Sequence, residues 1–380
     1  GVSVTPYSKL LTAAKGESFG EARVGAAGHL EQGFVAGITP TQATLYGQLA
    51  SLPSAESYRL ALDNLSGETL HAAAVAAHAA SLSFSERMNS CPVLDTQTDL
   101  THEQTCAWGR AIDNRTDRST TSDAAGYTSS ARTLQAGGQL EVGNGWLVGG
   151  SLAFDSSSVS PRDTGGRIDG HSTSVGVVVK REAGAWLFSG GVDYGSGQYD
   201  SQRAINIGTI QANATGNFDM SHVGLHGRVA YRMPQDGWYA KPYVDLHAVR
   251  MHTGAFTETG AGDFDLNVQS AHGTLYTLSP MLEFGTRRQL DSGYTLHGFV
   301  AAGALLHNGD AFGAPSSMQG MAASGATPFQ ASAELPRNQA KVNLGVDIGW
   351  KQSTLRLEYG GEYGRGYRSN TATVRMNVLF

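Results

Sequence analysis

Two cysteines are the residues whose type and spacing most clearly suggest chemistry. Cys91 and Cys106 enclose the polar segment CPVLDTQTDLTHEQTC, and the 380-residue chain has no other cysteine. A zinc site is disfavoured, because neither a second cysteine pair nor a matching histidine pair accompanies them. A disulfide that closes this short loop fits better and indicates an oxidising compartment such as a periplasm. Two free, buried thiols are the alternative.

Histidines and carboxylates in one long polar segment could in principle serve acid–base catalysis. His252, Glu258, Asp263, Asp265 and His272 fall in that segment, so a hydrolase at the rim of a β-structure is one hypothesis. We identify no GxSxG nucleophile elbow and no HExxH metal helix. We therefore predict that the protein is not an enzyme and has no catalytic residue, metal site or cofactor.

Composition restricts the class of protein further. The net charge of −6 is mild and no basic cluster is present, so we expect no nucleic-acid partner. No run of about 18 to 20 apolar residues exists, which excludes a membrane-spanning helix. The mean hydropathy of −0.23 suggests a soluble protein. A transmembrane β-barrel gives the same average, since its lipid-facing residues occupy only every second position.

The first quarter of the chain differs in pattern from the rest. Residues 1 to 40 are rich in Gly and Ala without a sustained period, so we expect irregular, loosely attached structure there. From Pro40 the leucines follow helical spacing; Pro53 ends a first helix and Ser54 can cap a second. A third, alanine-rich helix is predicted over 66–88. At roughly 1.5 Å per residue it is about long enough to cross a ~30 Å membrane.

After Cys106 the apolar residues alternate with polar ones, which predicts strands. This alternation predicts twelve strands: 106–113, 134–142, 146–154, 172–180, 186–195, 222–232, 238–249, 275–287, 294–305, 340–350, 354–363 and 371–380. An even number of antiparallel strands can close with both ends on one side. We predict an all-β transmembrane barrel of 12 antiparallel strands over 105–380.

The connections between the strands support a barrel. Tight turns at 144–145, 182–184, 235–237, 291–293 and 351–353 alternate with long polar segments at 114–130, 156–170, 196–218, 252–273 and 306–338. Short turns on one rim and long loops on the other are typical of outer-membrane barrels. Aromatic residues adjoin the tight turns, as expected of a membrane-interface girdle: Trp146, Trp186, Trp238, Tyr294 and Trp350.

The strands' second face predicts a polar lumen. The residues assigned to it carry both charges: Glu141, Lys180, Asp193, Arg228, Lys241, Asp245, Glu283, Lys341, Asp347, Arg356, Glu358 and Arg375. Many are separated by glycine, which leaves room for something within, and a slender alanine-rich helix would fit. A soluble β-sandwich, which would bury its apolar face against another sheet, is an alternative.

Three segments resemble the translocator domains of autotransporters. The segment TPTQATLYGQLASLPSAESYRLALDNLSGETLHA resembles the stretch that precedes their barrel, CAWGRAID resembles their first strand, and the terminal MNVLF resembles their last. The resemblance implies a bacterial outer-membrane barrel with the 66–88 helix threaded through the pore. Residues 41–104 would then be a helical linker, and 1–40 a remnant of a passenger or stalk.

The same resemblance implies a function and partners. Such domains deliver an N-terminal passenger to the cell surface and anchor it, in contact with outer-membrane lipids, as a monomer. Met376, Val378 and Phe380 would belong to the signal read by the β-barrel assembly machinery, with periplasmic chaperones as further partners. Self-cleavage between two asparagines is not expected, because neither Asn64 nor Asn89 is followed by Asn. A diffusion porin is the remaining alternative.

Overall fold

The computed structural model describes residues 9–37, 39–89, 91–94 and 101–380. Helices occupy the first part: α1 Leu10–Gly16, α2 Glu21–Ala36, α3 Pro40–Ala50, α4 Ala55–Ser66 and α5 Ala72–Met88, with a 3₁₀ turn Glu68–His71 before α5. Within the described residues, no helix is both long and apolar enough to span a membrane. Positions 1–8 and 38 of the predicted passenger remnant, and 90 and 95–100 of the predicted linker, lie outside the described residues.

The helix starts follow from capping residues. The Thr39 side chain accepts a hydrogen bond from Gln42 N while the Gln42 side chain accepts one from Thr39 N, and Pro40 occupies the first helical position of α3. Ser54 caps α4 through Ser57 in the same way, which confirms the predicted second helix start. Gly67, at φ +63°, ends α4 in the left-handed conformation that glycine adopts without strain.

Residues 101–380 contain a closed barrel of twelve antiparallel strands, as predicted. The strands are β1 Cys106–Arg118, β2 Tyr127–Gly143, β3 Trp146–Pro161, β4 Gly166–Ala183, β5 Trp186–Ile207, β6 Ile210–Tyr231, β7 Trp238–Thr253, β8 Ala271–Gln289, β9 Tyr294–Gly309, β10 Asn338–Trp350, β11 Ser353–Gly364 and β12 Tyr367–Leu379. Each pairs with its neighbours in sequence, and β12 returns to pair with β1, from Tyr367 opposite Arg118 to Leu379 opposite Cys106. Closure leaves no free edge among these twelve strands.

Shorter elements complete the structure. Besides the twelve long strands, the described residues form the short strands Pro92–Leu94, Thr101–Glu103, Met233–Pro234, Phe256–Thr257, Leu266–Val268, Phe312–Met318 and Phe329–Ala333, and the 3₁₀ turns Gly262–Phe264 and Gln319–Ser324. Met233–Pro234 pairs with β7 at the turn rim. Pro92–Leu94 pairs with Thr101–Glu103 as a small separate sheet. Leu266–Val268, Phe312–Met318 and Phe329–Ala333 join Phe256–Thr257 in a second one.

The barrel has two different rims. We call the end with the connections 144–145, 184–185, 232–237, 290–293 and 351–352 the turn rim, and the opposite end the loop rim. Asn144 and Gly145 adopt φ values of +53° and +75°, the conformation of a two-residue hairpin turn that suits Asn-Gly.

Two of the predicted long loops are wrong. The outward-facing apolar side chains form a belt around the barrel, and the strands β3 to β6 continue well past it. Only residues 162–165 and 208–209 therefore remain as connections where loops at 156–170 and 196–218 were expected. Beyond the belt the outward-facing positions become polar, as at Gln202 and Asn206, so the apolar outer face that marked the strands in the sequence ends although the backbone ladder continues. Buried residues of the inner face, such as Ile205 and Phe218, join the core of the helices.

The expected irregular structure of residues 1–40 is also wrong for the described part. Helices α1 and α2 pack with α3, α4 and the loop-rim strands in one apolar core, which includes Leu10, Leu30, Leu45, Phe312 and Phe329. Glycine and alanine at close contacts hide the helical period here, because small side chains let the helices approach without an apolar stripe. We call residues 9–66, together with 254–270 and 310–337, the cap.

Candidate functional site

Helix α5 lies inside the barrel and contacts several sides of its wall. Glu86 forms an ion pair with Lys341 of β10, and Ser81 Oγ donates to Asp193 Oδ2 of β5 at 3.1 Å. On a further strand, Ser85 Oγ lies 3.3 Å from His247 Nδ1 of β7. Since these strands are distributed around the barrel, the helix is enclosed by it.

Small residues on the wall make room for the helix. Phe84 and Met88 of α5 pack against Ala153 and Val178. A Cβ added to Gly176 would lie 2.7 Å from the Phe84 ring, closer than side chains approach. The large side chains Phe84 and Met88 of α5 therefore fit against small residues of the wall, as a narrow lumen requires.

The residues that we predicted to line the pore occupy the lumenal face, with one exception. Ten of these side chains, all within the described residues, are engaged in ion pairs or hydrogen bonds with other lumenal groups: Lys180, Asp193, Arg228, Lys241, Asp245, Glu283, Lys341, Asp347, Arg356 and Arg375. Glu358 is half-buried, with Oε2 3.7 Å from Arg356 Nη1. Glu141 is exposed near the turn rim, where the β2–β3 register shifts between Glu141 and Gly143.

The lumenal pairs join neighbouring strands. Arg228 Nε and Nη2 donate to the two oxygens of Asp245 at 2.5 and 2.7 Å. Lys241 Nζ lies 3.0 Å from Glu283 Oε1. Buried charges are tolerated in such geometry because each one meets an opposite charge and directed hydrogen bonds.

The segment after α5 occupies the turn-rim mouth of the barrel. Lys180, 1 % exposed, donates to Glu103 Oε2 at 2.8 Å and to Gln139 Oε1 at 2.7 Å. Glu103 N in turn donates to Glu182 Oε1 at 2.9 Å. Glu103 and Glu86 were not predicted as lumenal residues, because both lie outside the alternating strands from which the lumenal face was assigned.

A disulfide joins Cys91 to Cys106, as predicted, with their Cα atoms 6.4 Å apart. Both cysteines are buried beside Trp108, and Leu379 packs against them. Cys106 begins β1 and lies opposite Leu379 of β12. The disulfide therefore ties the chain that leaves α5 to the seam where the barrel closes.

The predicted interface aromatics lie at the turn rim and point outward. Trp146, Trp186, Trp238, Tyr294 and Trp350 are between 40 % and 48 % exposed. Tyr294 and Trp350 are paired across β9 and β10, with ring centroids 6.3 Å apart. Apolar side chains follow them along the outer face of each strand, including Val148, Phe188 and Val346. Their arrangement suits the boundary between lipid and water.

The loop rim is covered by the cap. Arg203 of β5 lies 2.5 Å from Glu258 and donates to Asn64 O of α4. Arg23 of α2 donates to Asp63 Oδ1 at 2.6 Å and to Ser122 O in the first loop at 2.6 Å. These bonds hold the helices that precede α5 against the barrel end.

Glu68, at the junction of the cap and α5, has an unusual environment. Its side chain is 4 % exposed; Oε1 accepts from Ala125 N at 3.0 Å, and Oε2 has no hydrogen-bond partner among the described residues. Burial raises the pKa of Glu68 to about 7, although the Arg23 charge opposes the shift.

All five side chains of the hydrolase hypothesis have structural partners at the loop rim, and Asp263 Oδ2 accepts from Thr39 Oγ1 at 3.3 Å. Glu258 is fully buried against Arg203, and Asp265 Oδ1 accepts from Ala261 N at 2.9 Å. His252 stacks on His272, with ring centroids 4.4 Å apart. These contacts account for the five residues as structural groups.

One sequence motif was missed. Residues 16–20, GESFG, match GxSxG, and Ser18 has a φ of +54°. A nucleophile elbow requires a strand before the serine, whereas here α1 precedes it. Among the described hydrogen bonds, none joins Ser18 to a histidine. The match therefore does not form a catalytic site.

Glu86, Asp245 and His247 come close enough to share a metal ion, with one ligand atom from each within 4.8 Å of the others. Both carboxylates already bind cationic side chains, Lys341 and Arg228. Adding a divalent cation would place it beside two positive charges. The arrangement therefore favours the ion pairs over a metal.

Comparisons with known proteins agree with this geometry. A sequence model described as the Autotransporter beta-domain matches residues 107–360. The fold is similar to the translocator domain of autotransporter NalP from Neisseria meningitidis, at 14 % identity, covering 81 % of this chain and 98 % of that chain with a TM-score of 0.60. It is also similar to the β domain of the Bordetella autotransporter Brka, at 16 % identity, covering 73 % and 100 % with a TM-score of 0.54. No curated protein sequence matches the chain.

Proposed function

Because this chain belongs to the autotransporter β-domain family, whose members are outer-membrane barrels that secrete a passenger, we propose that α5 seals the pore once export is complete. The observation that carries the proposal is the enclosure of α5, with bonds from Ser81, Ser85 and Glu86 to three different strands. A helix held on several sides blocks the conduit and anchors whatever precedes it.

The proposal assigns a part to each section of the chain. Residues 105–380 are the membrane-inserted translocator, 41–104 the linker that contains the plug, and 1–40 the end of the passenger or its stalk. The turn rim faces the periplasm and the cap faces the cell exterior. The domain acts as a monomer by transport alone, without a chemical reaction of its own.

Further partners follow from the same role. Periplasmic chaperones would keep the chain unfolded before insertion, and the assembly machinery would recognise Met376, Val378 and Phe380. Val378 is outward-facing on β12, and Phe380 is 73 % exposed, so both are accessible to such a partner.

Surface display of an N-terminal tag tests the export role. The chain is expressed in a Gram-negative host behind a cleavable signal peptide, with an epitope tag fused before Gly1. We expect external protease to remove the tag from intact cells while the barrel remains in the outer-membrane fraction.

A matched control lacks β12, so that the barrel cannot close. Its tag should stay protected inside intact cells. A full chain whose barrel is assembled but whose tag becomes accessible only after lysis would contradict the export role and favour a porin.

A further inference from the structure

Three arginines form a row across the closing seam of the barrel. Arg356 of β11 lies opposite Arg375 of β12, and Arg375 lies opposite Arg110 of β1. Arg110 and Arg375 are 8 % and 2 % exposed. Like charges directly opposite each other destabilise a sheet, and the repulsion is stronger where water is scarce. The row therefore requires negative charge nearby.

The nearest carboxylate is largely committed to one end of the row. Both oxygens of Asp347 accept from Arg356 at 2.6 Å, and Oδ2 also lies 2.8 Å from His297 Nδ1. Arg375 Nη2 lies 3.9 Å from Asp347 Oδ1. Asp347 therefore pairs mainly with Arg356.

Helix α5 adds a fourth cation at the same place. The Arg87 side chain lines the cavity beside the row, and Arg110 Nη2 donates to the Arg87 carbonyl oxygen at 3.3 Å. Glu358 and Glu362 also line this cavity. Among the described residues, seven basic and four acidic side chains line it. Asp245 and Asp347 pair with Arg228 and Arg356 from outside the lining, so an excess of one positive charge remains.

The cavity has room for a small ligand. Its volume is about 130 Å³, several times the space that a single water molecule needs. Arg110 Nε is buried and has no hydrogen-bond partner among the described residues. The Trp108 ring covers the Arg110 guanidinium at 4.6 Å and fixes its plane. This donor is therefore held in place for an acceptor that the described part of the chain does not supply.

We propose that this cavity binds a small tetrahedral oxyanion, such as inorganic phosphate or sulfate, between Arg110, Arg375 and Arg87. Guanidinium groups bind such anions through paired N–H donors. Because the cavity lies within the lumen, the ligand is a free inorganic anion and not a lipid headgroup. The anion bridges β1, β12 and α5, so it stabilises both the seam and the plug. The proposal does not depend on the export role.

Calorimetric titration of the purified full chain in detergent tests the proposal. Inorganic phosphate and, separately, sulfate are added at constant ionic strength in chloride buffer. We expect one saturable site per chain with a Kd of about 1 mM or tighter, and Arg110→Gln to weaken it about tenfold or more, because a charge-assisted hydrogen bond is lost.

Two further variants keep the outcome interpretable. Arg87→Gln changes the helix without touching the seam, so it remains informative if Arg110→Gln fails to assemble, and it should also weaken binding. Arg132→Gln removes an exposed, outward-facing arginine of β2 and should bind like the wild type. Absence of saturable binding, or equal affinity in all the variants, would overturn the proposal.

Discussion

At the scale of single residues, buried charges are stabilised by partners from distant parts of the chain. Lys180 meets Glu103 across 77 residues, and Arg203 meets Glu258 across 55. Without these partners, burial of the Lys180 or Arg203 charge would carry a large, uncompensated desolvation penalty. Each pair therefore specifies which segment packs where: the first holds the segment after α5 in the turn-rim mouth, and the second holds the cap on the loop rim.

Glu68 departs from this pattern and makes the cap sensitive to pH. Its folded-state pKa of about 7 lies above the usual 4.5, so folding takes up a proton between these values. The contribution of Glu68 to stability is therefore complete below about pH 4.5 and is lost as pH rises through 7. We expect Glu68→Gln to stabilise the cap at pH 8 by about 3 kcal/mol, and to make no difference at pH 4.

Hydrogen exchange of the α4 amides, corrected for intrinsic rates, measures this effect. Glu334→Gln, at an exposed position of the cap, is the control and should leave the pH dependence unchanged. Equal protection of wild type and Glu68→Gln at pH 8 would show that the carboxyl group is not destabilising.

At the scale of elements, the sequence predicts whatever depends on periodic contact with lipid. The twelve strands, the outward aromatics and the alternating lumenal charges follow from a period of two, which lipid on one face imposes. The strand extensions beyond the belt and helices α1 and α2 did not follow. Their stability comes from backbone ladders and from contacts with distant loops. At His29, for example, the two ring nitrogens form hydrogen bonds with Thr327 O and Met318 N. Such partners leave no local pattern.

The Cys91–Cys106 disulfide is the element that joins linker and seam. Its cysteines are 15 positions apart, and closing a loop of that size stabilises by roughly 3 kcal/mol, mainly through the unfolded chain. We expect the double variant Cys91→Ser, Cys106→Ser to unfold at a lower guanidinium concentration in detergent.

Reductant provides the matched control. It should lower the unfolding midpoint of the wild type and leave that of the double variant unchanged. Alkylation followed by mass analysis should label two thiols only after reduction. Labelling of the unreduced wild type would contradict the disulfide.

At the scale of the whole molecule, the barrel is occupied or covered along its length. The cap covers the loop rim, α5 fills the lumen, and the segment with Glu103 lies in the turn-rim mouth. The ion pair of Glu86 with Lys341 links helix α5 to the barrel wall. This arrangement suits a conduit that is used once and then closed, as the proposed function requires.

The terminal strand is the part of the molecule on which assembly should depend. Val374, Met376 and Val378 face outward, while Arg375 and Asn377 face the lumen. We expect Phe380→Ser to reduce the amount of barrel in the outer membrane several-fold, without changing the lumenal contacts. Immunoblots of outer-membrane fractions measure the yield, with Phe188→Ser, an outward substitution away from the terminus, as the comparison. A normal yield of Phe380→Ser would argue against an assembly signal there.

Single-channel conductance in planar bilayers tests most directly whether α5 closes the pore. Residues 72–88 are replaced by a Gly/Ser linker of equal length in the otherwise full chain, which retains the cap and both cysteines. Replacement of α3, which lies in the cap outside the lumen, is the matched control. We predict a several-fold higher conductance when α5 is replaced, and wild-type conductance for the control. Unchanged conductance after replacement of α5 would contradict the account.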